Sequence, residues 1–210
     1  MNQNQYFDQQ ARTWNDNPQV IERAQLVSGR IAQTIPLQKT MNCLEIGAGT
    51  GRIGFLLAPL VGQILLADGS SQMIATAQDR IVETKQSNMS ALQFEFGTGA
   101  CPDESFDLVY SAMAFHHIGD VTGVLASIAK HQAPGGYLSI VDLETEDGSF
   151  HAHAPDLPVH HGFDPAWIKQ QLEAVGYRVT FQDTIQVMQR PQDDGTVKSY
   201  PLFMINGVKA

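Results

Sequence analysis

Leu44-Glu45-Ile46-Gly47-Ala48-Gly49-Thr50-Gly51, followed by Leu65-Leu66-Ala67-Asp68, decides the reading of this chain. The first run reads as a hydrophobic strand that breaks on glycines into a helix, and the second as a strand ending on an acid. An acid about 20 residues past a glycine turn suits a vicinal ribose diol, because one carboxylate accepts from both hydroxyls. The pattern points to an adenosine-type cofactor.

The glycines permit two frames. Gly49-Thr50-Gly51-Arg52-Ile53-Gly54 satisfies the dinucleotide spacing of glycine, any, glycine, any, any, glycine. In that motif the strand ends immediately before the first glycine, which here is Gly47, and the sixth position counted from Gly47 is Arg52. The dinucleotide pattern therefore fails in its natural frame. The remaining frame is an acid followed by alternating glycines: Glu45, Gly47, Gly49 and Gly51.

Around this centre strand and helix alternate, which implies a mostly parallel sheet covered on both faces. Residues 19–34 carry Val20, Ile21, Ala24, Val27 and Ile31 at helical spacing, with Pro36 beyond. Strands are expected at Asn42–Ile46, Gln63–Ala67, Ala91–Phe96, Phe106–Tyr110 and Tyr137–Val141. A helix runs from Thr50 to the break at Pro59 and Gly62, and Ser70 or Ser71 caps another through about Thr84. Asp120–His131 forms the next. Asp164-Pro165 opens a further helix as N-cap and first helical residue, and Gly176 closes it. Arg178–Val187 and Leu202–Lys209 read as strands paired antiparallel about the turn signal Asp193-Asp194-Gly195. The expected architecture is α/β, with a seven-stranded, mostly parallel, Rossmann-like sheet, helices on both faces and an antiparallel C-terminal strand.

At 210 residues the chain fits one domain, 1–210, with cap helices in 1–35 and a polar, histidine-rich stretch at 144–163 expected to cover a substrate. Formal charge is −9, from 13 Lys and Arg against 22 Asp and Glu, and no stretch clusters basic residues. That disfavours nucleic acid, whose binders meet phosphates with a basic face, and favours a small-molecule substrate. No apolar run is long enough to span a bilayer, and Met1–Gln10 is polar and unlike a secretory signal. Two cysteines, Cys43 and Cys101, make neither a disulfide framework nor a thiolate metal cluster, so a reducing cytoplasm is the default location.

Leu44–Gly51 resembles the first motif of the class I S-adenosylmethionine-dependent methyltransferases. Asp68-Gly69-Ser70-Ser71-Gln72-Met73 is similar to that family's motif after its second strand. Phe106-Asp107-Leu108-Val109-Tyr110-Ser111 with His116-His117-Ile118 resembles its fourth-strand motif, and Ala133-Pro134-Gly135-Gly136-Tyr137-Leu138 the turn into its fifth. Tyr6-Phe7-Asp8 with Trp14 is similar to the opening of many small-molecule members. The resemblance implies S-adenosylmethionine as cofactor and methyl transfer to a small molecule. It implies that Gly47, Ala48, Gly49, Thr50 and Gly51 approach the cofactor's methionine and ribose parts, with the following helix N-terminus facing its carboxylate. Glu45 would accept from its ammonium and Asp68 from its ribose hydroxyls. Gly69, Ser70 and Met73 would line the adenine side, and Ser111 and Met113 would face the sulfonium.

One departure stands out. Many relatives carry an Asp after the third strand that accepts from the adenine amino group; the equivalent stretch here, Gly97-Thr98-Gly99-Ala100, has no acid. Adenine recognition then falls to backbone groups such as those of Gly99, or to Thr98.

The chemistry asks chiefly for alignment of nucleophile, methyl and sulfur. Deprotonation of an oxygen or nitrogen nucleophile would fall to a histidine: His116 or His117 past strand four, or His160 or His161 leading into the next helix. His151, His153, His160 and His161 lack a helical i, i+4 pair, and Asp147 and Asp156 are only optional partners, so no metal is assigned. Two rivals stay open: a nicotinamide-dependent oxidoreductase in the offset glycine frame, and a methyltransferase-like protein that binds cofactor or a partner without turnover.

Overall fold

The computed structural model describes residues 2–96, 102–152, 154–192 and 195–210. In chain order the elements are α1 (Gln3–Trp14), α2 (Pro18–Thr34), β1 (Asn42–Ile46), α3 (Arg52–Leu57), β2 (Gln63–Asp68), α4 (Ser71–Glu83) and β3 (Met89–Gln93). They continue as β4 (Leu108–Ala112), α5 (Val121–Lys130), β5 (Tyr137–Leu143), α6 (Pro165–Ala174), β6 (Tyr177–Pro191) and β7 (Val197–Lys209). Among the described residues no helix is long and apolar enough to cross a membrane.

The strands form one sheet in the order β3-β2-β1-β4-β5-β7-β6. The first five are parallel, and β7 runs antiparallel between β5 and β6. Its strands carry apolar side chains to both faces. Leu44 and Ile46 join the cluster under α5 and α6, with Val124, Leu125, Ile168 and Leu172. Cys43 joins the other, under α2, α3 and α4, with Val27, Ile31, Ile53 and Ala77. Burial on both faces is why these strands read as nearly continuous apolar runs. Cys43 packs there as a small apolar residue, its thiol pushed up to about 12 chiefly by burial.

After β1 the chain moves outward to β2 and β3, then crosses back to β4 on the opposite side. Such a reversal leaves a crevice beyond the carboxyl ends of the central strands, where open α/β sheets bind ligands. Helix α1 is fastened across it. Its Asp8 carboxylate accepts from the Ser70 hydroxyl at 2.6 Å and the Gln72 amide at 3.0 Å. Ser70 in turn caps α4 through the Met73 amide at 3.1 Å.

Most expected elements form, with shifted ends. β3 stops at Gln93 rather than Phe96 because its partner β2 ends at Asp68, opposite Gln93. β4 starts at Leu108 because the Asp107 amide is spent on the Asn42 carbonyl at 2.8 Å, just before the β1 ladder begins at Cys43. β6 and β7 outrun their expected ranges: register shifts between Val179 and Phe181 and between Thr184 and Gln186 break the two-residue alternation that marks a strand. Of the expected turn, Asp193 and Asp194 lie outside the described residues.

Candidate active site

The glycine turn sits at the crevice. Gly47, Gly49 and Gly51 all have positive φ, at 64°, 54° and 76°. Gly47 also has no room for a side chain: a Cβ there would stand 2.2 Å from the Cβ of Ala114, where the turn meets the loop after β4. The C-terminal end of α1 is tied to the same turn. Asn15 Oδ1 accepts from the Thr50 hydroxyl at 2.7 Å and Arg52 Nε at 2.9 Å, and its carbonyl accepts from Arg52 Nη2 at 2.6 Å. These bonds bring the Trp14 indole within 3.5 Å of where a Cβ on Gly49 would lie.

The two acids are held by backbone donors. Asp68 Oδ2 accepts from the Gly49 amide and Oδ1 from the Ser70 amide, both at 2.8 Å. Its carboxyl is nevertheless raised above the usual range, first by burial. Glu45 is buried, and its Oε2 accepts from the Gly54 amide at 2.9 Å and the Tyr110 hydroxyl at 3.1 Å. Burial outweighs both bonds and pushes this carboxyl up to about 8 from 4.5. Folding therefore favours protonated Glu45. Its contribution is complete below about pH 4.5 and fades as pH rises through about 8. Thermal melts of the cofactor-free chain should lose stability over that window, and Glu45→Gln, which keeps an acceptor for Gly54, should flatten the slope. An unchanged slope in the variant would contradict this assignment.

Both acids line a cavity of about 490 Å³, within the range of roughly 300–1,000 Å³ usual for small-molecule sites. Gly47, Ala48, Gly49, Thr50, Gly69, Met73 and Met113 line it too, and Tyr6, Phe7 and Trp14 of α1 close one side. Met113 holds φ 58° without being glycine, fixed by its amide donating to the Val141 carbonyl at 2.9 Å. A strained backbone of this kind persists where its surroundings over-determine it. Alternating left-handed glycines, two backbone-anchored acids and a cavity of this size fit an adenosine-bearing cofactor.

The remaining sequence candidates fall elsewhere. The Ser111 hydroxyl donates to the Ile46 carbonyl at 2.9 Å inside the sheet, and Ser70 is taken up by its cap; neither lines the cavity. Gly51 stands behind the turn as the N-cap of α3. His160 is exposed, with Nε2 2.9 Å from the Ile118 carbonyl, and exposed His161 packs against Gly148, so both lie away from the cavity wall. Thr98, Gly99 and His153 lie outside the described residues. Of the stretch expected to form a lid, Phe150 and His151 line the cavity.

Charged lining residues were missed, Glu95, Arg23 and Arg190 among them. Glu95, accepting from Asn4 Nδ2 at 2.6 Å, puts an acid after β3 that extending the strand to Phe96 concealed. Arg23 sits on the apolar-spaced α2, where its neighbours read as core, and Arg190 lies beyond the point at which β6 was expected to stop. Burial, then Arg190, brings the Arg23 guanidinium down to about 10. Arg190 lies over the Phe150 ring at 3.7 Å and donates to its carbonyl at 2.9 Å.

The sequence grouped His151 with the histidines that follow it; the fold groups it with His116 and His117. All three line the cavity, and one ring nitrogen from each lies within 4.8 Å of the others. His116 is buried, its Nδ1 2.5 Å from Asp142 Oδ1 and its amide 3.1 Å from Asp142 Oδ2.

A family model described as "Methyltransferase domain" matches residues 44–138. The uncharacterized methyltransferase YcgJ of Bacillus subtilis is 27% identical over 139 residues, covering 65% of this chain and 53% of that protein. A ubiquinone/menaquinone biosynthesis C-methyltransferase, UbiE of Marinomonas sp., is 31% identical over 114 residues, covering 49% and 43%. The chain thus spans about half the length of these curated relatives. Among solved structures, a SAM dependent methyltransferase from Aquifex aeolicus superposes with a TM-score of 0.69 at 20% identity, covering 97% of this chain and 98% of the other.

Proposed function

We propose that this chain is a class I S-adenosylmethionine-dependent methyltransferase, as its motifs, its fold and the matching family model support, and that it methylates a small anionic acceptor held at the arginine- and histidine-lined wall of the cavity. S-adenosylmethionine is its cofactor, and when bound it supplies a methyl group made electrophilic by the attached sulfonium. The sheet order supports this over hydride transfer: a classical dinucleotide-binding sheet continues β5 directly to a parallel sixth strand, whereas here β7 intervenes antiparallel.

The chain's own part is to bind, orient and shield. Asp68 would accept from the ribose hydroxyls, Glu45 from the ammonium, and Glu95 takes the place of the missing acid on the adenine side. Tyr6, Phe7 and Trp14 would keep water from the reacting atoms. Of the histidines considered as bases, His116 and His117 line the cavity, so contact with the nucleophile falls to them and to their neighbour His151.

The observation carrying the choice of acceptor is the pair Arg23 and Arg190. Both line the cavity, and among the described residues neither has a carboxylate within ion-pair distance. Arg23 Nη1 donates to Met188 Sδ at 3.8 Å. The counter-charge felt by Arg23 is Asp142, which is already engaged by His116; cations withdrawn from water are costly, and an anionic ligand offsets that cost. Incubation with methyl-labelled S-adenosylmethionine and a metabolite extract resolved by anion exchange tests the idea. Label should enter an anionic product, and Arg23→Met should raise KM for that acceptor at least about tenfold, the low end for a charged hydrogen bond of roughly 1.5–3 kcal/mol. Label confined to neutral or cationic products would overturn it.

A further inference from the structure

We propose that His116, His117 and His151 form a site for one divalent transition-metal ion of the zinc type, with its open coordination position turned to the acceptor. The site stands on the three imidazoles alone; its role in holding the acceptor rests on the methyl-transfer reading.

The three rings form a triangle, with centroids 4.2 Å apart for His116 and His117, 5.1 Å for His116 and His151, and 5.2 Å for His117 and His151. Two stand on the turn Phe115–His117 after β4, and the third on the turn Ser149–His151 after β5. Both turns are anchored by buried phenylalanines, Phe115 and Phe150. Ligating nitrogens now within 4.8 Å need to close to about 3.4 Å, the separation on a tetrahedral ion with Zn–N of about 2.0–2.1 Å. Small ring rotations supply that.

Two further observations point the same way. Asp142 engages Nδ1 of His116, which fixes the tautomer and leaves Nε2 as the lone-pair nitrogen. A carboxylate behind a histidine is the support that metal-binding imidazoles characteristically have. The Nδ1 of His117 is buried with no hydrogen-bond partner, a cost that a ring rotated onto an ion recovers. Three imidazoles with a vacant fourth position match the donor set of a catalytic rather than a structural zinc. An acceptor O–H or S–H coordinating there would release its proton to solvent and present a heteroatom anion inside the cavity.

The test uses the untagged full chain, stripped with chelator and titrated with cobalt(II) as the visible probe for zinc. One equivalent should bind with the ligand-field bands of a four-coordinate nitrogen site, and excess zinc should displace it. His117→Ala and His151→Ala should lose the bands, and Asp142→Asn should weaken cobalt binding about 10–100-fold while keeping one equivalent. His151 lies on a surface turn, so its variant remains informative if His117→Ala fails to fold. Cobalt uptake in wild type equal to that of His151→Ala, without visible bands, would overturn the site. Calorimetry with S-adenosylhomocysteine on the metal-free chain separates the two claims: cofactor binding without cobalt binding sinks the metal site, and cobalt binding without cofactor binding sinks the methyl-transfer reading.

Discussion

Asp68→Ala is expected to weaken S-adenosylmethionine and S-adenosylhomocysteine binding at least about a hundredfold while the chain still folds. Both carboxylate oxygens are already oriented by backbone donors, the amides of Gly49 and Ser70 at 2.8 Å. The side chain is therefore locked before any ligand arrives, and it lines the cavity at the end of β2. Hydrogen bonds to a charged acceptor contribute roughly 1.5–3 kcal/mol each, and two ribose hydroxyls bring the loss to about 3 kcal/mol at least. At about 1.4 kcal/mol per factor of ten, that is a hundredfold. The alanine also leaves the Gly49 amide without its acceptor, loosening the turn proposed to hold the rest of the cofactor. Calorimetry gives the affinity, and a thermal melt within a few degrees of wild type separates loss of binding from loss of fold. Wild-type affinity in a folded variant would remove Asp68 from the site.

Gly47→Val should cost both stability and binding. The position has φ 64°, and a Cβ would stand 2.2 Å from the Cβ of Ala114. The left-handed conformation costs a side-chain-bearing residue roughly 1–2 kcal/mol, and overpacking adds about 1–3 kcal/mol. Relief requires the β1 turn and the loop after β4 to separate, and those two segments form adjoining parts of the cavity wall. For a chain of this size the sum corresponds to a drop in Tm of roughly 5–15 °C. Gly119→Ala is the matched control, since it has no positive φ and nothing lies within 4 Å of its added Cβ. Equal melting temperatures for the two variants would show that Gly47 is not constrained as described.

How far the sequence could be read follows from which signals are local. β1 coincides with its expected range, Asn42–Ile46, because an unbroken apolar run meets a glycine at its end. α6 begins where Asp164 and Pro165 place it, since capping is decided within a few residues: Asp164 Oδ1 accepts from the Ala166 amide at 2.8 Å. The far end of β3 depends instead on how long β2 is, and misjudging it hid Glu95. The bulges in β6 hid the length of the last hairpin, and with it Arg190. Arg23 lay among helix residues whose apolar spacing reads as core.

The histidine cluster was the least legible part. His116 and His151 stand 35 positions apart, joined only when β4 and β5 pair side by side and bring their loops together. Asp142, at the end of an apolar strand, gave no hint of its role until β5 was placed beside the turn carrying His116. Sequence spacing instead favoured the local group His151–His161, of whose described members the structure brings only His151 to the cavity. The residues proposed for the cofactor sit on one turn and the two strand ends beside it, whereas those proposed for the acceptor are gathered from α2, two loops and β6.

The most direct test of the whole account is a calorimetric titration of the full chain with S-adenosylmethionine and with S-adenosylhomocysteine. One saturable site per chain for both ligands, lost in Asp68→Ala, is the predicted result. Absence of heat from either ligand at millimolar concentration, with the chain folded, would contradict it.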